Sequence, residues 1–169
     1  AFVTALNHKN NTNVYLGGYG GWIVLNIELR PNTIINLKLK YFHGSGGGGV
    51  VTKGALNLTR AMEMYEGYDI FTMGHIHENG SRNDVRDTIS RIQSGDTKKY
   101  KFDHKKIHSM ITGTYKEEYL NQHHGWHVER GAPFKNIGGR ILTIQIKRDR
   151  SVPGQDRVYT NIDSTKFPI

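Results

Sequence analysis

The chain has 169 residues, a formal net charge of +8 at pH 7 and no cysteine. This length suffices for one domain with a hydrophobic core, and the lack of cysteine excludes disulfides and thiolate metal ligands. Neither a charged-then-apolar leader nor a long apolar run is present, which argues against secretion and membrane insertion. We therefore expect a single domain over residues 1–169, in the cytoplasm of a cell or, for a viral protein, of its host.

The positive charge favours polyanionic partners such as nucleic acid, because binding them releases counterions. Much of the charge lies in three clusters of basic residues, namely Lys98-Lys99-Lys101, Lys105-Lys106 and Lys147-Arg148-Arg150. Runs of this kind more often form a solvated surface. The charge is therefore compatible with a nucleic-acid substrate but does not require one.

The first third of the chain is typical of strands. Residues 13–19 and 22–29 read as two strands separated by Gly20-Gly21, and Arg30-Pro31-Asn32 reads as a turn. Apolar and polar residues then alternate from Ile35 to Tyr41, the period of a half-buried strand. His43 follows where the alternation stops, so we expect it at the carboxyl end of this strand.

A strand–helix–strand unit is predicted next. The loop after His43 contains five glycines within residues 44–49, which suits close approach of backbone N–H groups to an anion but does not match the fixed pattern of a P-loop. Residues 55–66 show an amphipathic helical stripe, and residues 68–73 a short apolar strand. A crossover helix implies parallel strands. His43, His75 and His77 should then meet at one edge of the sheet, where α/β sheets bind ligands.

Imidazole is a common ligand for zinc, manganese, iron and nickel, so three such side chains form a candidate metal site. His43-Gly44, the glycine loop, a helix, Asp69-Ile70 and then Gly74-His75-Ile76-His77 resemble the C-terminal half of calcineurin-like metallophosphoesterases. The resemblance is close over residues 41–77 and looser over the remainder. It implies hydrolysis of phosphomono- or phosphodiesters at two divalent ions (Mn, Fe, Zn or Ni). His43 and His75 would bind one ion and His77 the other.

The same resemblance implies a strand-rich α/β (α+β) fold, part of a four-layer β-sandwich flanked by helices. The three N-terminal motifs of that family, which supply its bridging carboxylates, are absent before His43. Asn7-His8 is a candidate degenerate form of the third motif, and a polar loop is the alternative. We therefore expect the C-terminal portion of a metallophosphoesterase domain, with its site completed by an N-terminal half or a second chain. No catalytic acid is assigned.

The second half is predicted to be mostly antiparallel. Residues 78–84 read as a polar turn, residues 85–92 and 99–111 as long strands, and residues 140–147 and 157–162 as a hairpin followed by an irregular tail. Asp103, His104 and His108 lie among lysines, which favours titratable surface residues over a second metal site.

A loop rich in histidine follows the long strands. His123, His124 and His127 either contact a phosphate or an outer partner of the metal site, or belong to an ordinary surface loop anchored by Trp126. The alternative to a phosphoesterase is a non-catalytic nucleic-acid-binding or structural module in which the metal site is vestigial.

Overall fold

The computed structural model describes residues 17–31, 33–47, 49–94, 97–116, 125–133, 135, 137–149 and 157–168. Within them the elements, in chain order, are β1 (Gly20–Arg30), β2 (Thr33–Phe42), α1 (Ala55–Glu63), β3 (Ile70–Met73), β4 (Asn79–Ser94), β5 (Thr97–Thr112), α2 (Trp126–Glu129), β6 (Gly138–Asp149) and β7 (Arg157–Pro168). None of the helices among these residues is long and apolar enough to cross a membrane.

The strands form a five-stranded mixed sheet in the order β1-β2-β3-β5-β4 and a separate β6-β7 hairpin. β3 is parallel to both β2 and β5, whereas β1-β2, β4-β5 and β6-β7 are antiparallel. The predicted parallel unit and the strand-rich α+β class are therefore confirmed. Because β2 and β3 are parallel neighbours, the residues that follow them lie at the same edge of the sheet.

The core lies between α1 and one face of the sheet. The helix buries Leu58, Ala61 and Met62, which lie on one stripe at helical spacing. This stripe packs on Phe71 and Met73 of β3 and on two isoleucines of β5. The apolar strand β3 is buried on both faces because it lies in the middle of the sheet.

The opposite face of the sheet contacts the β6-β7 hairpin through a polar network centred on Arg140. Its guanidinium donates to the Asn79 side chain (2.7 Å), the Ser81 hydroxyl (2.7 Å) and both the hydroxyl (2.9 Å) and carbonyl (2.7 Å) of Ser164. Asn79 and Ser81 belong to β4, whereas Ser164 belongs to β7. One side chain thus joins the two sheets.

Four predictions of local structure were wrong. Residues 79–84 are the start of β4 and not a turn, because they pair with residues 107–112 of β5 and the side chains of Asn79 and Ser81 accept hydrogen bonds from Arg140. The tail is not irregular, since β7 continues to Pro168 opposite Gly138. The helix ends at Glu63, three residues early, where the chain turns towards Gly67 at a positive φ of 83°. Residues 13–16 lie outside the described part of the chain, residues 17–19 are not in a strand, and Gly20-Gly21 begins β1 instead of separating two strands.

Gly54 provides a test of this packing. It has a φ of 78°, and a Cβ atom there would lie 1.9 Å from Cδ1 of the buried Ile76. Gly54→Ala combines left-handed strain of about 1–2 kcal/mol with overpacking of about 1–3 kcal/mol, so we expect a total loss of unfolding free energy of about 3 kcal/mol. Urea unfolding followed by circular dichroism measures the loss.

Gly67→Ala is the matched control, because Gly67 also has a positive φ of 83° but has nothing within 4 Å of an added Cβ. We expect only the strain component there, about 1–2 kcal/mol. Equal losses in the two variants would contradict the proposed contact between Gly54 and the turn that carries Ile76.

Candidate metal and phosphate site

His43 follows the end of β2 and is held by Tyr19, the residue before β1. Its backbone N–H donates to the Tyr19 carbonyl (2.7 Å), and its ring centroid lies 4.9 Å from that of Tyr19. The Tyr19 hydroxyl also donates to the Gly44 carbonyl. The imidazole is therefore placed by both neighbouring strands, although it stays exposed to solvent.

Gly44 allows the loop to pass close to the turn after β3. Its φ is 96°, and a Cβ atom would lie 2.9 Å from Met73 Cγ, 3.0 Å from the Gly74 carbonyl oxygen and 3.2 Å from His75 Cβ. The Gly74 N–H in turn donates to the His43 carbonyl at 3.1 Å. Any side chain at position 44 would push the two histidine-bearing segments apart.

The turn at residues 74–77 directs its two imidazoles away from the core. Ile76 is buried in the core cluster between His75 and His77, and its N–H donates to the Gly74 carbonyl at 2.8 Å. His75 and His77 have positive φ values of 67° and 56°. Such backbone strain persists where the surrounding structure enforces it, and it is concentrated at functional sites.

The structure brings His43 and His75 together. Nε2 of His43 lies 3.2 Å from Nδ1 of His75, and the two rings meet edge to face with their centroids 5.1 Å apart. His77 lines the same cavity as His75, whereas His43 is not among the residues that line it. The three side chains are thus neighbours at one edge, arranged as a close pair and a third member on the cavity side.

The two facing nitrogens are at hydrogen-bond distance, 3.2 Å apart. Nitrogen ligands lie about 2.0–2.1 Å from zinc, so two of them are about 2.8–3.0 Å apart at octahedral angles and about 3.3–3.4 Å apart at tetrahedral angles. The observed distance lies between these two values. Among the described residues no group of three or more histidine or acidic side chains could hold an ion. A metal site at this pair would therefore need further ligands.

A cavity of about 580 Å³ adjoins the histidines. Its charged lining residues in the described part of the chain are all basic, namely Lys116, Arg130 and Lys135. The side chains of Lys135 and Glu78 form an ion pair that is mostly buried. Gly46 and Gly47 also line the cavity and present bare backbone to it. A cavity of this size and sign suits a small anionic ligand.

The basic wall of the cavity was missed by sequence reasoning. Lys116, Arg130 and Lys135 come from separate positions after β5 and around α2, with no motif that relates them to His75. Only the tertiary structure brings them to the histidines. The candidate residues Asn7, His8, His123 and His124 lie outside the described part of the chain, and of His127 only the backbone is described.

His108 is not a surface residue, contrary to prediction. It is 3% exposed, its Nε2 lies 2.8 Å from the Ser164 hydroxyl, and its Nδ1 lies 2.7 Å from Oδ1 of Asn83. Because the amide oxygen can only accept, Nδ1 carries the proton and Nε2 accepts from Ser164. Asp103 and His104 are exposed as predicted. The Ser164 hydroxyl is itself buried and also accepts from Arg140, so we assign this network a structural role.

Burial lowers the pKa of the His108 imidazole, with Asp163 opposing this effect and Arg140 adding to it. The unfolded chain has a histidine pKa of about 6.5, so below that pH it takes up a proton that the folded protein does not. The free energy of unfolding should therefore fall as the pH falls below about 6.5. The free energy of unfolding stops falling once the pH is below the pKa of His108 in the folded protein.

A comparison of wild type with His108→Gln measures this dependence. Urea unfolding from about pH 8 to about pH 5 should show wild type losing stability relative to the variant on the acid side. His104→Gln, at an exposed position on the same strand, serves as the control. A stability difference between wild type and His108→Gln that is independent of pH would contradict the assignment.

In comparisons with known proteins, no family model, no curated protein and no solved structure matches this chain.

Proposed function

We propose that this protein is a metal-dependent phosphoesterase that hydrolyses phosphomono- or phosphodiesters. The observation that carries this proposal is the pair of facing nitrogens of His43 and His75, 3.2 Å apart, beside a cavity with a basic wall. Nitrogen ligands for a metal ion and a cavity with positive charge are two features that metal-assisted phosphate hydrolysis uses.

His43 and His75 would hold one ion as neutral imidazoles, and His77 would contribute to a second on the cavity side. When bound, divalent ions supply Lewis-acid stabilisation of the charge on a phosphoryl group. Lys116 and Arg130 would bind the non-reacting oxygens of the substrate by charge-assisted hydrogen bonds. Gly46 and Gly47 would leave room for the phosphate to approach the backbone.

The carboxylates needed to bridge two ions would come from residues outside the described part of this chain or from a second chain. Glu78, the acidic residue nearest to His77 in the sequence, is engaged by Lys135 and does not serve as that ligand in this arrangement. The proposal also includes the predicted four-layer β-sandwich, in which a further sheet would pack against the five-stranded mixed sheet.

Hydrolysis of bis(4-nitrophenyl) phosphate and of 4-nitrophenyl phosphate, with and without Mn²⁺, tests the function. We expect metal-dependent release of nitrophenol that EDTA abolishes. Because an incomplete site can bind phosphate without turning over, the broadening of the ³¹P resonance of inorganic phosphate by protein-bound Mn²⁺ is measured in parallel. The absence of both turnover and broadening would contradict the proposal and favour the non-catalytic alternative.

A further inference from the structure

The outer halves of β4 and β5 form a two-stranded ribbon that extends beyond the sheet. β3 pairs with β5 only from His108 to Ile111, whereas β4 and β5 continue pairing through ten residue pairs, from Val85–Lys106 to Ser94–Thr97. Ten residues of strand span about 33 Å. A two-stranded ribbon that nothing else covers is at best marginally stable in water. A binding partner that contacts the exposed side chains would stabilise it.

One face of the ribbon carries exposed aromatic and apolar side chains. The cross-strand partners Ile89 and Phe102 are 62% and 78% exposed, and the next pair on this face joins Arg91 to Tyr100, which is 59% exposed. Tyr100 and Phe102 are two residues apart on one strand, so their rings emerge on the same side about 7 Å from each other. Aromatic rings spaced along an exposed strand are a platform on which bases stack.

The ribbon also concentrates positive charge. Residues 85–106 contain seven lysines and arginines and three aspartates, so that +4 of the net charge of +8 lies in this segment. Two of the three aspartates are already paired within the ribbon, Asp87 with His104 at 2.6 Å and Asp103 with Lys101 at 3.1 Å. Arg91, the cross-strand partner of Tyr100, and Lys106 lie on the same face as the two rings and are exposed.

We propose that this ribbon binds single-stranded nucleic acid, with Tyr100 and Phe102 stacking on bases and with Arg91 and Lys106, which lie on the same face, contacting phosphates. The charge argues against a second copy of the chain, because two ribbons of the same sign repel each other. Exposed bases offer the π faces that the two rings need, and these are hidden inside a duplex. The ribbon lies apart from the residues that line the histidine cavity, so this binding does not depend on metal.

Fluorescence anisotropy with a labelled single-stranded oligonucleotide of about 16 nucleotides, recorded in EDTA, tests the proposal. The double variant Tyr100→Ala/Phe102→Ala should bind at least about tenfold more weakly than wild type. Tyr100→Phe should retain binding. Phe167→Ala, which removes a 50% exposed ring on β7 outside the cavity that adjoins the ribbon, is the matched control and should bind as wild type does.

The charge contribution is measured by the salt dependence of the same binding. Arg91→Gln/Lys106→Gln should reduce the slope of log K against log salt by about 1.4 for single strands, whereas Lys147→Gln on β6 should leave it close to the wild-type slope. Unchanged circular dichroism and melting temperature verify that each variant is folded.

Several results would overturn the inference. They are wild-type affinity in the aromatic double variant, binding to a duplex of the same length that equals or exceeds single-strand binding, or capture by vesicles containing phosphatidylserine with no oligonucleotide binding. Because EDTA is present throughout, failure here leaves the phosphoesterase proposal intact. Loss of metal-dependent hydrolysis would likewise leave the ribbon proposal intact.

Discussion

Replacing His75 by asparagine is expected to lower metal-dependent phosphodiester hydrolysis by about 10³-fold, equivalent to about 4 kcal/mol in activation free energy. The reason is that the substitution removes the Nδ1 atom that faces His43. Asparagine is chosen because it tolerates the positive φ of 67° at this position, so the turn should keep its shape. His43→Asn should have a similar effect, since each imidazole supplies half of the pair.

The measurement is kcat and KM on bis(4-nitrophenyl) phosphate at saturating Mn²⁺, with the unfolding free energy determined in parallel. His104→Asn is the matched control, because His104 is exposed on the β4-β5 ribbon and is not a cavity-lining residue of the histidine site. It should retain the wild-type rate. Wild-type turnover in His75→Asn would show that hydrolysis does not use this pair.

The second large effect concerns Arg140. Arg140→Met should lower the unfolding free energy by about 3 kcal/mol or more, because it removes four charge-assisted hydrogen bonds and leaves the polar groups of Asn79, Ser81 and Ser164 without this donor. The β6-β7 hairpin should lose protection from amide hydrogen exchange before the five-stranded sheet does, since the guanidinium joins the two sheets.

Arg91→Met provides the comparison, because Arg91 is an exposed arginine on a strand and its replacement should change stability by no more than about 0.5 kcal/mol. Urea unfolding and hydrogen exchange report the two effects separately. An Arg140→Met protein as stable as Arg91→Met, with hairpin protection unchanged, would contradict the role of this residue as the link between sheets.

The strand–helix–strand unit could be predicted because its signals are local. Alternation along β2, the apolar stripe of α1 and the glycines around His43 each report on a few consecutive residues. Parallel pairing then follows from the crossover alone. These signals place His43, His75 and His77 at one edge, and they contain nothing about the distance between the rings.

The remaining features depend on contacts between distant residues. The polar start of β4 resembles a turn in sequence, and it is a strand because Arg140 and His108 satisfy its side chains from elsewhere. The basic wall opposite His77 joins residues 116, 130 and 135, which no short motif connects. The burial of His108 likewise depends on β7, more than fifty residues further along the chain.

Titration with Co²⁺ tests most directly whether His43 and His75 hold one ion. Absorption spectra of the cobalt-loaded protein should show binding that weakens at least about tenfold in His43→Asn and in His75→Asn. The double variant should bind more weakly than either single variant but by less than the sum of the two losses in binding free energy, because both imidazoles serve one site and their losses are not additive. Cobalt affinity and spectra equal to wild type in both single variants would contradict the proposed metal site.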